Sequence, residues 1–203
     1  MQKKTRVGVL VSDRGTNLQS IINACRDKSF PVQIAIVISN VSSAYALKRA
    51  KVAGIPTAVV DHNKFASRSG FEGAIIQHLK KAKIDLLCLA GFMRVLSPKL
   101  VGAFKNKIMN IHPALLPSFP GLHAQRQALE HGVKVSGVTV HFVDEGTDTG
   151  PIILQHPVPV MDDDTEEALS KRILKWEHKL YVDAVRLFVD GKLKVEGRRV
   201  LHV

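Results

Sequence analysis

Short apolar runs rich in valine and isoleucine alternate along this chain with segments whose apolar residues recur at helical spacing, and no other feature restricts its fold as strongly. Residues 6–11, 32–38, 57–60, 86–90 and 108–111 read as strands. The first helix is the clearest: Leu18, Ile21, Ile22 and Cys25 share one face, and Asn17 stands where an N-cap is expected. Such an alternation predicts an α/β fold with a mostly parallel twisted sheet. Parallel neighbours need a crossover helix, and right-handed crossovers cover both faces.

Past residue 130 the pattern changes. Val138, Val140 and Phe142 alternate with Thr139 and His141, and a second extended run, 152–160, follows the turn-rich segment 144–150. This predicts an antiparallel C-terminal addition. A long amphipathic helix should follow from about 165 to about 190, with Asp164 as N-cap, Glu167 three residues on and Gly191 at the end. Residues 192–203 read as a short strand and a basic tail. Neither a repeat nor a linker interrupts the chain, so one domain over 1–203 is expected.

Hydrophobic residues make up 45% of the chain and charged ones 23%, enough to bury a core at 203 residues. Cys25 and Cys88 fall in apolar stretches, which suits buried thiols in a reducing compartment better than a disulfide or zinc. The basic start Met1-Gln2-Lys3-Lys4 precedes an apolar run that ends at Asp13-Arg14, too short for a secretory signal. The longest apolar stretch, 86–93, falls far below the ~20 residues of a membrane span. A cytoplasmic protein without membrane contact is expected. A net charge of +11 favours anionic partners. The basic residues are scattered and aromatics reach only 5%, which fits a phosphorylated small molecule better than nucleic acid.

Ligands of open α/β sheets bind at the carboxyl ends of the strands. Four polar segments leave such ends: Ser12-Asp13-Arg14-Gly15-Thr16-Asn17, Gly91-Phe92-Met93-Arg94, Asn110-Ile111-His112-Pro113, and the later Asp144-Glu145-Gly146-Thr147-Asp148. The first opens a helix, so either its free N–H groups hold an anion beside Gly15, or it is a plain capped turn. A dinucleotide site is disfavoured, because G-x-G-x-x-G is absent and the second strand ends in Ser39-Asn40 without a ribose-binding acid.

Asn110 and His112, two apart in an extended run, project to one side and pair an amide donor with a group that titrates near neutrality. That suits a carbonyl whose oxygen becomes negative; equally, both would fix the loop 114–120. Asp148 is either a complementary acid or a turn residue before Gly150-Pro151. Glu177 interrupts the apolar stripe Leu169, Ile173, Leu180 and Ala184 of the long helix. A carboxylate there either pairs with a base such as Arg172 or meets ligand hydroxyls in a cleft. His62, His78, His131 and His202 read as surface or loop residues, His141 as one lining a sheet face or backing a site residue, and no histidine spacing matches a zinc signature.

The segment NIHPALLPSFPGL at 110–122 and the run DEGTDTGP at 144–151 resemble the folate-dependent formyltransferases, in particular those acting on glycinamide ribonucleotide. The similarity extends to the loop ending in Gly15, Thr16 and Asn17, to AGFMRVLSP at 90–98, to HAQRQAL at 123–129 and to Glu177-His178. It implies a Rossmann-like formyltransferase fold, with a phosphate-binding half over about 1–105 and a catalytic, folate-binding half over about 106–203. It further implies that Gly15, Thr16 and Asn17 hold the substrate phosphate and Glu177 its ribose. Arg68, Met93, Arg94, Val95, Leu96, Asn110, Asp144, Glu145, Gly146 and Thr147 would contact the folate, and Asn110, His112 and Asp148 would be catalytic.

The donor so implied is 10-formyltetrahydrofolate and the acceptor glycinamide ribonucleotide, with no metal, in a monomer or homodimer. The first loop departs from the family pattern, carrying Asp13-Arg14 where a glycine is usual. The length leaves no room for the further C-terminal domain of methionyl-tRNA formyltransferases. Pro113 and Gly121-Leu122-His123 favour the ribonucleotide branch over the deformylases.

Overall fold

The computed structural model describes residues 4–203; the part of the basic start before Lys4 lies outside them. The chain forms two compact units, Met1–Met109 and Asn110–Val203. The first contains β1 (Thr5–Val11), α1 (Thr16–Ala24), β2 (Val32–Ser39), α2 (Tyr45–Val52), β3 (Thr57–Val59), α3 (Arg68–Lys81), β4 (Leu86–Leu89) and α4 (Pro98–Ala103), and ends within β5 (Ile108–His112). The second continues with α5 (Ala124–Glu130), β6 (Val135–Phe142), β7 (Ile152–Pro159), α6 (Glu166–Val189), β8 (Leu193–Glu196) and β9 (Arg199–His202). The strands are bonded in the order β3-β2-β1-β4-β5-β6-β7-β9-β8, and all eight strands expected from the sequence are present.

In the first unit β1 runs parallel to β2 and β4, and β2 parallel to β3. The chain steps from β1 out to β3, then returns to the opposite side of β1 with β4. That reversal is the switch point outside which α/β sheets place ligands. Right-handed crossovers on either side of it put α1 and α2 together on one face and α3 and α4 on the other. β1 and β2 are buried over most of their length, which is why they read as continuous apolar runs rather than alternating ones. Gly8 of β1 makes room for α3, since a Cβ there would lie 2.9 Å from Leu79 Cδ2.

In the second unit β6 and β7 pair antiparallel, as do β8 and β9, while β9 runs parallel to β7. Helix α6 packs on β6 and β7 through Leu169, Ile173, Tyr181, Ala184 and Val185, all fully buried. Truncating Ile173 to alanine would cost about 2–5 kcal/mol.

Local details correct the sequence reading. Gly15, left-handed at φ 68°, occupies the N-cap of α1, and Asn17 lies buried in the first turn. Thr165 caps α6, accepting from the Ala168 amide. Asp164 instead accepts from the Met161 amide at 2.8 Å and from both Nη atoms of Arg172 at 2.6 and 2.7 Å. The terminal segment is a two-stranded hairpin rather than one strand and a tail. Cys88 is buried, but Cys25 is only half-buried; burial pushes its thiol up to about 11, and neither cysteine forms a disulfide. Among the described residues no helix is long and apolar enough to cross a membrane.

Candidate active site

Strand β5 carries Asn110 and His112 on one side, and both reach Asp148. Asn110 Nδ2 lies 3.3 Å from Asp148 Oδ1, and His112 Nδ1 lies 3.3 Å from Asp148 Oδ2. Asp148 presents its carboxylate from a left-handed backbone conformation, φ 56°, which aspartate tolerates better than most residues. The Gly121 amide donates to Oδ2 at 2.8 Å, anchoring the carboxylate to the loop that follows β5.

Hydrogen-bond chemistry fixes the imidazole tautomers. A carbonyl oxygen only accepts, so His112 Nε2, 2.8 Å from the Phe119 carbonyl, carries a proton, and Nδ1 is the atom facing Asp148. His141 uses Nδ1–H toward the Phe142 carbonyl at 2.8 Å, which leaves Nε2 to accept from Asn110 Nδ2 at 3.2 Å. His141 also approaches Asp148 Oδ1, at 3.6 Å. The sequence places His141 on a sheet face or behind a site residue, and it does stand behind Asn110 and Asp148, with a register shift between Val140 and His141. No short motif signals such a shift.

Electrostatics separates the two ends of this cluster. Burial holds the His112 imidazole below its usual range, outweighing the Asp148 charge and the Phe119 carbonyl that act to raise it. For Asp148 burial acts upward but is outweighed: the neighbouring His141, the Gly121 amide and His112 together hold the carboxyl below its usual value. At neutral pH the pair therefore consists of a neutral imidazole facing a carboxylate. It can take up one proton at Nδ1 and stabilise the resulting cation in place, while Asn110 supplies an amide N–H beside it.

In the first unit the segments that leave β1 and β4 are tied together at the switch point. The Ser12 amide donates to the Gly91 carbonyl at 3.0 Å, its hydroxyl donates to Asn40 Oδ1 at 2.7 Å and accepts from the Met93 amide at 2.9 Å. Gly15 and Asn17 are buried and Thr16 is half-buried, at a helix N-terminus without a side-chain cap. The dipole and backbone N–H groups of a helix N-terminus favour an anion. Asp13 and Arg14 are exposed, and Arg49 Nε holds the Arg14 carbonyl at 2.9 Å.

The residues expected at the folate divide by exposure. Met93 and Val95 are exposed, Leu96 is buried and offers only its backbone, and the Arg94 guanidinium lies over the Phe71 ring at 5.5 Å. Arg68 donates to the Val95 carbonyl at 2.5 Å. Asp144 turns its carboxylate into its own loop, accepting from the Gly146 amide at 3.1 Å and the Thr149 hydroxyl at 2.6 Å, with Glu145, Gly146 and Thr147 exposed. Glu177 is buried on α6, and Arg172, the base considered for it, is engaged by Asp164. Among the described residues no group of three or more His, Cys, Asp or Glu is arranged to hold a metal ion.

The model of the formyl transferase family matches residues 5–185. The chain is 42% identical over 191 residues to a phosphoribosylglycinamide formyltransferase of Haemophilus influenzae, covering 94% of this chain and 90% of that protein. It is 50% identical over 192 residues to the trifunctional purine biosynthetic protein adenosine-3 of Drosophila melanogaster, covering 94% of this chain but only 14% of that much longer protein. A crystal structure of glycinamide ribonucleotide transformylase 1 from Symbiobacterium toebii superposes with a TM-score of 0.97 at 51% identity, covering all of this chain and 96% of the other. With most of its length matched by the family model and by relatives of similar size, this chain belongs to the formyl transferase family.

Proposed function

We propose that the chain transfers the formyl group of 10-formyltetrahydrofolate to the amine of glycinamide ribonucleotide, giving formylglycinamide ribonucleotide and tetrahydrofolate in de novo purine biosynthesis. The observation that carries this reading is the Asn110, His112 and Asp148 cluster in a formyl transferase chain. Relatives named for the same transfer support it.

The division of labour follows from the cluster's chemistry. Asn110, whose amide hydrogens go to Asp148 and His141 before substrate binds, turns one of them to the formyl oxygen as the amine adds to the formyl carbon and that oxygen becomes anionic. Asp148, through water, takes the proton that the attacking amine must lose, and His112 accepts it at Nδ1, where the carboxylate stabilises the imidazolium. The same proton leaves for the folate nitrogen as the carbon–nitrogen bond to it breaks. One proton and one formyl group have then changed places, and the cluster returns to its starting charge. No metal enters this scheme.

Gly15, Thr16 and Asn17 hold the acceptor's phosphate and Glu177 its ribose hydroxyls. Arg68, residues 93–96 and the backbone of 144–147 hold the reduced folate. The two units act as one formyltransferase domain over 1–203, in the cytoplasm, as a monomer or homodimer. Tracing isotope-labelled formyl carbon by mass spectrometry tests the reading: label recovered in the ribonucleotide supports it, and label recovered only in formate makes the enzyme a hydrolase.

A further inference from the structure

Helix α3 hides a carboxylate that the proposed chemistry does not use. Glu72 is 2% exposed, yet three donors converge on it. The Ser97 amide reaches Oε1 at 2.8 Å, the Ser97 hydroxyl reaches Oε2, and Arg68 Nε reaches Oε1 at 3.2 Å. A buried charge persists only where such partners replace its water, and removing any one of them leaves the others poorly satisfied.

The partners lie on two different segments. Arg68 opens α3, one turn before Glu72, and Ser97 stands at the N-cap of α4, at the end of the loop that leaves β4. Arg68 then closes a ring by donating to the Val95 carbonyl at 2.5 Å. One carboxylate thus sets the orientation of an arginine that is about half exposed and the path of the neighbouring backbone at 95–97. The bonds to Glu72 and Val95 occupy only part of the arginine's donor fork, and the rest is presented at the surface beside Val95.

We infer that Glu72 is the positioning residue of the folate-binding surface, holding Arg68 and the 95–97 backbone in the arrangement that receives the reduced folate. This rests on the assignment of Arg68 and 93–96 to the folate proposed above. Glu72 touches no ligand itself and acts through Arg68 and Ser97. Glu72→Gln is the informative change: the amide oxygen still accepts from the Ser97 amide, while the charge that orients the guanidinium is gone.

The test is calorimetry of the full chain with a reduced folate and, separately, with glycinamide ribonucleotide, for wild type, Arg68→Ala, Glu72→Gln and the double variant, with melting temperatures beside each. The expected result is that Glu72→Gln weakens folate binding about tenfold or more, the scale of a charge-assisted contact. Ribonucleotide binding should be unchanged, and the double variant no weaker for folate than Arg68→Ala alone. Equal weakening toward both ligands with a lowered melting temperature would make Glu72 a plain structural residue and overturn the inference. Folate binding sensitive to Arg68→Ala but indifferent to Glu72→Gln would overturn the inference while leaving the folate assignment standing. Folate binding indifferent to both would overturn the assignment and the inference together.

Discussion

His112 and Asp148 face each other at 3.3 Å with opposite demands on a proton: burial keeps the imidazole neutral while its surroundings keep the carboxyl ionised. A pair so arranged is poised to receive a single proton. It releases that proton easily, because the cost of desolvation outweighs the Asp148 charge and the Phe119 carbonyl that hold the buried imidazolium.

Removing Asn110 or His112 should therefore cost turnover rather than folding. Asn110→Ala and His112→Ala are each expected to lower turnover roughly 100-fold or more, the scale of losing an oxyanion donor in the first case and a positioned proton acceptor in the second. Single-turnover kinetics on variants whose circular dichroism matches wild type checks this. Near-normal chemistry in either variant would remove that residue from the catalytic group.

Acid should act through the same pair. His112 has its folded-state value lowered, so it contributes stability that is complete above the ordinary imidazole value of about 6.5 and is lost as pH falls through the folded value. Asp148 is also lowered, and its contribution is lost at lower pH still. Melting temperature should thus fall in two stages on acidification, and His112→Gln should flatten the first. Turnover should decline over that first stage as well, because a His112 already protonated cannot accept the amine's proton. A variant whose melting profile matched wild type between neutrality and pH ~5 would contradict the assignment.

Gly15 is constrained by α2 as well as by any ligand. Its φ of 68° is left-handed, and a Cβ would lie 2.5 Å from Ala46 Cβ. Gly15→Ala should destabilise by about 1–2 kcal/mol from backbone strain, with the Ala46 clash added, and should weaken ribonucleotide binding more than folate binding. Thermal melting and calorimetry on each ligand separate the two effects. Unchanged ribonucleotide affinity would place the phosphate elsewhere.

Much of this was legible in the sequence. The parallel strands betray themselves as apolar runs because they are buried on both faces, and the two-residue spacing of Asn110 and His112 puts both on one side of β5 without further information. The caps of α1 and α6 were not legible, since Asp164 and Thr165 both suit an N-cap and only the tertiary pairing of Asp164 with Arg172 decides between them. A supporting place for His141 on the sheet face was legible, but its particular partners Asn110 and Asp148 were not, because a register shift in β6 alters the simple alternation. Glu72 was missed because its partner Ser97 lies 25 residues away.

Glu177 should matter for one ligand only. Glu177→Gln, close in size, is expected to raise the Michaelis constant for the ribonucleotide about tenfold or more through loss of charge-assisted hydrogen bonds, with that for the folate unchanged. Steady-state kinetics varying each substrate in turn checks it. An effect on the folate alone would move Glu177 out of the acceptor site.

The measurement that bears most directly on the proposed transfer compares the loss of 10-formyltetrahydrofolate with and without glycinamide ribonucleotide, quantifying formate in both mixtures. Water has no anchor, whereas the ribonucleotide's phosphate and ribose would hold its amine against the formyl carbon. Slow loss alone, greatly accelerated by the ribonucleotide with formylated ribonucleotide as product, is the predicted result. Formate released at a rate indifferent to the ribonucleotide, or folate left intact in both mixtures, would contradict it.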